Sequence, residues 1–101
     1  MVAVTDGEAA YADAFNLAEI RRAEQQAALK ELGVSSGKIT RLGLPDSAVS
    51  SREEELTAAV ASLVSRGTLL LAPWICDPHP DHGACGRAAR RVAESTGCEA
   101  D

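Results

Sequence analysis

Three short apolar runs, Val2 to Thr5, Ile39 to Leu44 and Thr68 to Ala72, alternate with segments whose apolar residues recur every three or four positions. No other feature of the chain restricts its fold so sharply. A short apolar run followed by an amphipathic helix, repeated in order, reads as strands joined by crossovers, and crossovers leave neighbouring strands parallel. The order βαβαβα implies an α/β fold, a three-layer Rossmann-like parallel sheet with helical crossovers. At 101 residues the chain has room for one domain, spanning 1–101, with a modest core.

The helices can be placed from their end signals. Asn16 and Glu19 make a capping box for the first, Leu17, Ile20, Ala23, Ala27, Ala28 and Leu32 form its apolar stripe, and Gly33 stops it. Ser50 or Ser51 is expected to cap the second. Its Glu53, Glu54 and Glu55 suit the positive end of the helix dipole, and its stripe is Leu56, Val60, Leu63 and Val64. The third is expected from about Gly83 to Thr96, with Ala84, Ala88 and Val92 inward and Arg87, Arg90 and Arg91 outward. Thr68 to Ala72 reads as the clearest buried strand.

Composition removes several classes of function. A net charge of −5 opposes binding to a phosphate backbone, and one Trp, one Tyr and one Phe do not make a base-stacking surface. No run approaches the roughly 20 apolar residues that span a bilayer, and Met1 to Asp6 lacks the pattern of a signal peptide. Three cysteines, Cys76, Cys85 and Cys98, show no disulfide-framework spacing, so a reducing cytoplasm is the expected compartment.

In parallel sheets the ligand site lies beyond the carboxyl ends of the strands. Here those ends lead into Asp6-Gly7-Glu8, Pro45-Asp46-Ser47 and Asp77-Pro78-His79-Pro80-Asp81-His82, which are expected to converge on one edge. The hexapeptide holds both histidines of the chain. Imidazole and carboxylate bind divalent metals and move protons near neutral pH, and two prolines restrict the backbone that carries them. Plainer roles exist for several neighbours. Asp77 serves as a cap, Arg21 and Glu24 make a surface ion pair one helical turn apart, and Tyr11, Phe15 and Trp74 belong to the core or its rim. The run Cys76-x2-His79-x2-His82-x2-Cys85 superficially resembles a four-ligand zinc site, but closed sites normally separate two ligand pairs by a longer loop.

Four elements together, Val4-Thr5-Asp6-Gly7-Glu8-Ala9, Arg21 with Glu24, Leu44-Pro45-Asp46 and the hexapeptide, occur in the order and approximate spacing of PIG-L/LmbE-like deacetylases. These are zinc-dependent enzymes that remove N-acetyl groups from N-acetylglucosamine-type sugars. The resemblance covers nearly the whole chain and implies a Zn2+ cofactor and a small sugar conjugate as substrate. It implies that His82 is a zinc ligand, that His79 stabilises the oxyanion or protonates the leaving amine, and that the carboxylate of Asp81 orients His79. Glu8, Arg21 and Asp46 match positions that contact sugar hydroxyls. Family members open with a strand ending in His-Pro-Asp-Asp, and this chain contains no such motif. The resemblance therefore implies a partial domain whose hydrolysis is impaired and whose open sheet edge favours self-association. A non-catalytic α/β module, either a pseudoenzyme or a metal-binding or partner-binding fragment, is the alternative.

Overall fold

Short parallel strands pair two by two in this protein. The structure, a computed structural model, describes residues 1–7, 16–34 and 38–101. It comprises two compact units, Met1–Ser47 and Ala48–Asp101, each with one strand pair. The architecture is α/β, with helices and parallel strands in alternation. Glu8, Tyr11 and Phe15, named above, lie outside the described residues.

In the first unit, β1 (Val2–Ala3) pairs with β2 (Thr40–Arg41), Val2 opposite Thr40 and Ala3 opposite Arg41. The Leu42 and Leu44 amides continue the pairing by donating to the carbonyls of Ala3 and Val4. Between them Gly43 takes a φ of 66°, outside strand geometry, so the expected run from Ile39 to Leu44 is regular only at its centre. Helix α1 (Leu17–Glu31) ends as its sequence signals, with the Leu32 amide donating to the Ala28 carbonyl and Gly33 at a φ of 79°. Its start differs. Asn16 is left-handed and its side chain makes no cap bond, because a capping side chain reaches the first-turn amides from an extended backbone. No residue of α1 is buried, and Ile20 and Leu32 are exposed. The Asp6-Gly7 turn is tied to α1 by Arg22, whose Nη2 and Nε donate to Asp6 Oδ2 at 2.7 and 3.1 Å.

The second unit contains a 3-10 turn (Val49–Arg52), α2 (Glu53–Ala61), β3 (Leu69–Leu70), α3 (Pro80–Thr96) and β4 (Glu99–Ala100). Neither Ser50 nor Ser51 caps α2. The 3-10 turn precedes the helix, and the Ser51 hydroxyl donates to the Ala48 carbonyl instead. Helix α2 packs on α3. Val49, Leu56 and Val92 are fully buried, and Ala84, Ala88 and Ala89 give α3 a face of small buried residues, over which a neighbouring element can approach closely. Leu63 and Val64 fall beyond the end of α2, and Leu63 is exposed.

A left-handed Gly97, whose amide donates to the Ala93 carbonyl, closes α3 and returns the chain to β4. Strand β4 runs parallel to β3, Leu69 opposite Glu99 and Leu70 opposite Ala100. The sequence does not announce β4, because Glu99 and Ala100 are both exposed and no apolar run contains them. Thr68, Leu70 and Ala72 direct main-chain groups at β4. Leu69 is exposed beside this pairing. Leu71 is 76% exposed, so the run expected to be buried on both faces is uncovered here. Among the described residues no helix is long and apolar enough to cross a membrane.

Candidate functional site

The hexapeptide spans a turn and the first turn of a helix. The Asp77 amide donates to the Trp74 carbonyl at 3.0 Å, reversing the chain after β3. Asp77 Oδ1 accepts the His79 amide at 2.8 Å, an aspartate turn of the expected capping kind. Helix α3 begins at Pro80, three residues before the expected start. Proline suits that first position, since its ring presets φ and no amide hydrogen is needed there. His79 is the N-cap, and its Nδ1 accepts the Asp81 amide at 3.1 Å. The Gly83 amide donates to the His79 carbonyl at 3.1 Å, completing the first turn.

This start brings the two imidazoles together. The rings of His79 and His82 stack with centroids 4.5 Å apart and planes 17° from parallel. His82 Nδ1 lies 3.4 Å from Asp77 Oδ1, and the His82 side chain is about half exposed. A carboxylate beside Nδ1 favours the tautomer with its proton there, which leaves the Nε2 lone pair free to bind a metal. Asp77 thus sits beside His82 as well as capping the turn, a role not read from the sequence.

Asp81 points the other way. It is 4% exposed, and its Oδ1 accepts the Val49 amide at 3.1 Å, tying α3 to the 3-10 turn. Replacing Asp81 by alanine leaves that buried amide without this acceptor and is expected to cost about 1–3 kcal/mol, measured by urea denaturation. Asp81→Asn retains an acceptor oxygen and is expected to lose less. The sequence carries no signal for this bond, which joins residues 32 positions apart.

The chemistry of the neighbouring cysteines can be assigned from burial. Burial pushes the Cys85 thiol up from its usual range, and the charge of Asp81 adds to the effect. Cys85 is therefore a neutral thiol at neutral pH, which disfavours it as a nucleophile or metal ligand. Among the described residues no group of three His, Cys, Asp and Glu side chains stands together to hold a metal ion. Zinc takes three or four protein donors. These residues therefore do not fit a complete zinc centre, and the arrangement of Cys76, His79, His82 and Cys85 does not form one.

The structure brings the rings of His79 and His82 together, while Asp81 meets His79 through its main-chain amide and turns its carboxylate to Val49. Arg21 and Asp46 belong to the other unit. Arg21 lies 3.9 Å from Glu24 with both side chains substantially exposed, an ion pair worth under about 1 kcal/mol. Asp46 stands in the turn after Pro45. The family model described as "PIG-L: GlcNAc-PI de-N-acetylase" matches residues 1–93. No curated protein and no solved structure matches the chain.

Proposed function

The chain belongs to the PIG-L family, whose members suggest deacetylation of N-acetylglucosamine-type substrates, and from that premise we propose that it provides part of the site for removing the N-acetyl group from such a sugar conjugate. In that reaction water adds to the acetamide carbonyl, the C–N bond breaks, and acetate and a free amine leave. The observation that supports the reading is the stacked pair His79 and His82 at the start of α3, with the Asp77 carboxylate beside His82 and the Asp81 amide on His79. His79 faces the reacting acyl group as oxyanion stabiliser or acid toward the leaving amine. Asp81 positions His79, and His82 is the donor this chain offers to zinc. Glu8, Arg21 and Asp46 contact sugar hydroxyls. In this reading residues 1–101 adopt the three-layer Rossmann-like type of fold and work in the cytoplasm.

Binding tests the substrate class directly. An N-acetylglucosaminyl conjugate is expected to shift the ring resonances of His79 and His82 in NMR spectra, and the corresponding free amine to shift them less. Equal responses to both compounds, or none to either, would sink the deacetylase reading. Hydrolysis by the 101 residues alone is expected to be absent in an amine-release assay with added zinc, because one imidazole donor does not hold the metal. Calorimetric titration should accordingly find only weak zinc binding. Robust turnover would overturn the impairment, and nanomolar affinity would restore the cysteine–histidine site.

One observation favours the second reading, a non-catalytic module. Leu69, Leu71 and Trp74 are exposed around an edge of β3 that carries no charged residue. Natural edge strands usually carry charges, proline or bulges that deter pairing. We take self-association to run through this edge. Leu71→Lys is then expected to shift the chain toward monomer in sedimentation velocity with little change in its melt. An unchanged distribution would assign self-association elsewhere.

A further inference from the structure

An imidazole is an unusual choice for a helix N-cap, a position that favours Asn, Asp, Ser and Thr. His79 holds it nonetheless, with Nδ1 accepting the amide of Asp81 at 3.1 Å across Pro80. Helix α3 has seventeen residues and leaves its first amides seeking acceptors. Pro80 has no amide hydrogen, so the cap bond falls on the next residue, Asp81.

That bond constrains the ring. A nitrogen that accepts a hydrogen bond presents a lone pair and carries no proton, and a neutral imidazole has only one proton to place. It must therefore sit on Nε2. For the same reason Nδ1 cannot donate to a carboxylate while it accepts from the main chain. The resemblance implies that the Asp81 carboxylate orients His79, yet that carboxylate is buried and accepts from Val49.

We propose that the main-chain amide of Asp81, and not its carboxylate, positions His79, holding the ring in the tautomer with its proton on Nε2. His79 then meets the acetamide as a hydrogen-bond donor, the form suited to a developing oxyanion and unsuited to abstracting a proton from water. The carboxylate contributes indirectly, by fixing the start of α3 against the 3-10 turn. The assignment of His79 to the acetamide rests on the deacetylase reading, whereas the tautomer does not.

The test therefore uses no substrate. The 15N-labelled chain, stripped of metal with a chelator, is examined by long-range 1H–15N NMR at about pH 8, above the ordinary imidazole range. The chain has two histidines, so a His82→Gln variant assigns the remaining ring to His79. Expected are a protonated Nε2, an unprotonated Nδ1, and a 15N–15N scalar coupling across the bond from the Asp81 amide to Nδ1. The coupling is the decisive observable, since a free histidine also favours a proton on Nε2. Asp81→Asn should leave both signatures unchanged, because the main chain is retained. A proton on Nδ1, averaged ring shifts, a missing coupling in the folded chain, or a tautomer that switches in Asp81→Asn would each overturn the proposal. Failure to bind the sugar conjugate would instead count against the deacetylase reading alone.

Discussion

Replacing Gly86 by alanine is expected to lower the melting temperature by about 10–20 °C, the largest effect of any single added carbon atom in the second unit. A Cβ at this position would stand 2.5 Å from the carbonyl oxygen of Pro73 and 3.0 Å from both Cα and Cγ2 of Ile75. The nearest atom is main chain, so no side chain can swing aside to relieve the clash. Either α3 lifts from the segment after β3, or Pro73 and Ile75 move. Both responses disturb the turn that carries Asp77 toward His82. Insertion of a methyl group into a packed interior costs about 1–3 kcal/mol, and the rigid partner puts this case at or above the upper end. Gly67 is the control. A Cβ there meets nothing within 4 Å, and Gly67→Ala is expected to be neutral or slightly stabilising, by up to about 1 kcal/mol. Circular dichroism melts of both variants decide the matter, and equal melting temperatures would show that the close approach of α3 is unimportant.

Truncation of Leu56 to alanine is the second large effect. Leu56 is the largest of the fully buried side chains, on the helix that packs against α3. Losing its branched end removes the transfer free energy of the missing carbons and leaves a cavity, together about 2–5 kcal/mol. A small domain has little more than that in reserve. The variant is therefore expected to lose its cooperative thermal transition at 222 nm, or to melt near room temperature. Leu63→Ala, at a largely exposed position just beyond the helix, should change the melt by less than a third as much. A cooperative melt of Leu56→Ala near that of the parent would show that the core lies elsewhere.

Some of this arrangement is legible in the residues and some is not. The inward face of α3 follows from the spacing of Ala84, Ala88 and Val92, all buried, because helical periodicity survives wherever a helix has one covered side. The acidic first turn of α2 and the stop at Gly33 follow from equally local physics. The start of α3 is harder to see, since Pro80 reads as a breaker in isolation and becomes a first helical residue only when the next turn follows. Strand β4 escapes because its regularity comes from its partner β3 and not from its own composition. The stripe of α1 shows a different limit. Its spacing is helical and a helix forms, yet none of it is buried, for periodicity indicates which face is apolar and not what covers it. At the site, the hexapeptide identifies the histidines through composition alone. The bond from the Val49 amide to Asp81 and the stacking of the two rings depend on tertiary placement.

His79 is the start of a helix and, in the function proposed above, also the ring that faces the substrate, and this double duty shapes how the position tolerates change. A lineage that abandoned the reaction would not be free to place any residue there, because a helix start still needs an acceptor. Asparagine or serine would be the residues of retirement, keeping the fold while surrendering the imidazole. Alanine at the same place removes cap and chemistry together, so a dead His79→Ala protein leaves two explanations standing. His79→Asn separates them, and a relative carrying asparagine here would announce a scaffold that outlived its reaction.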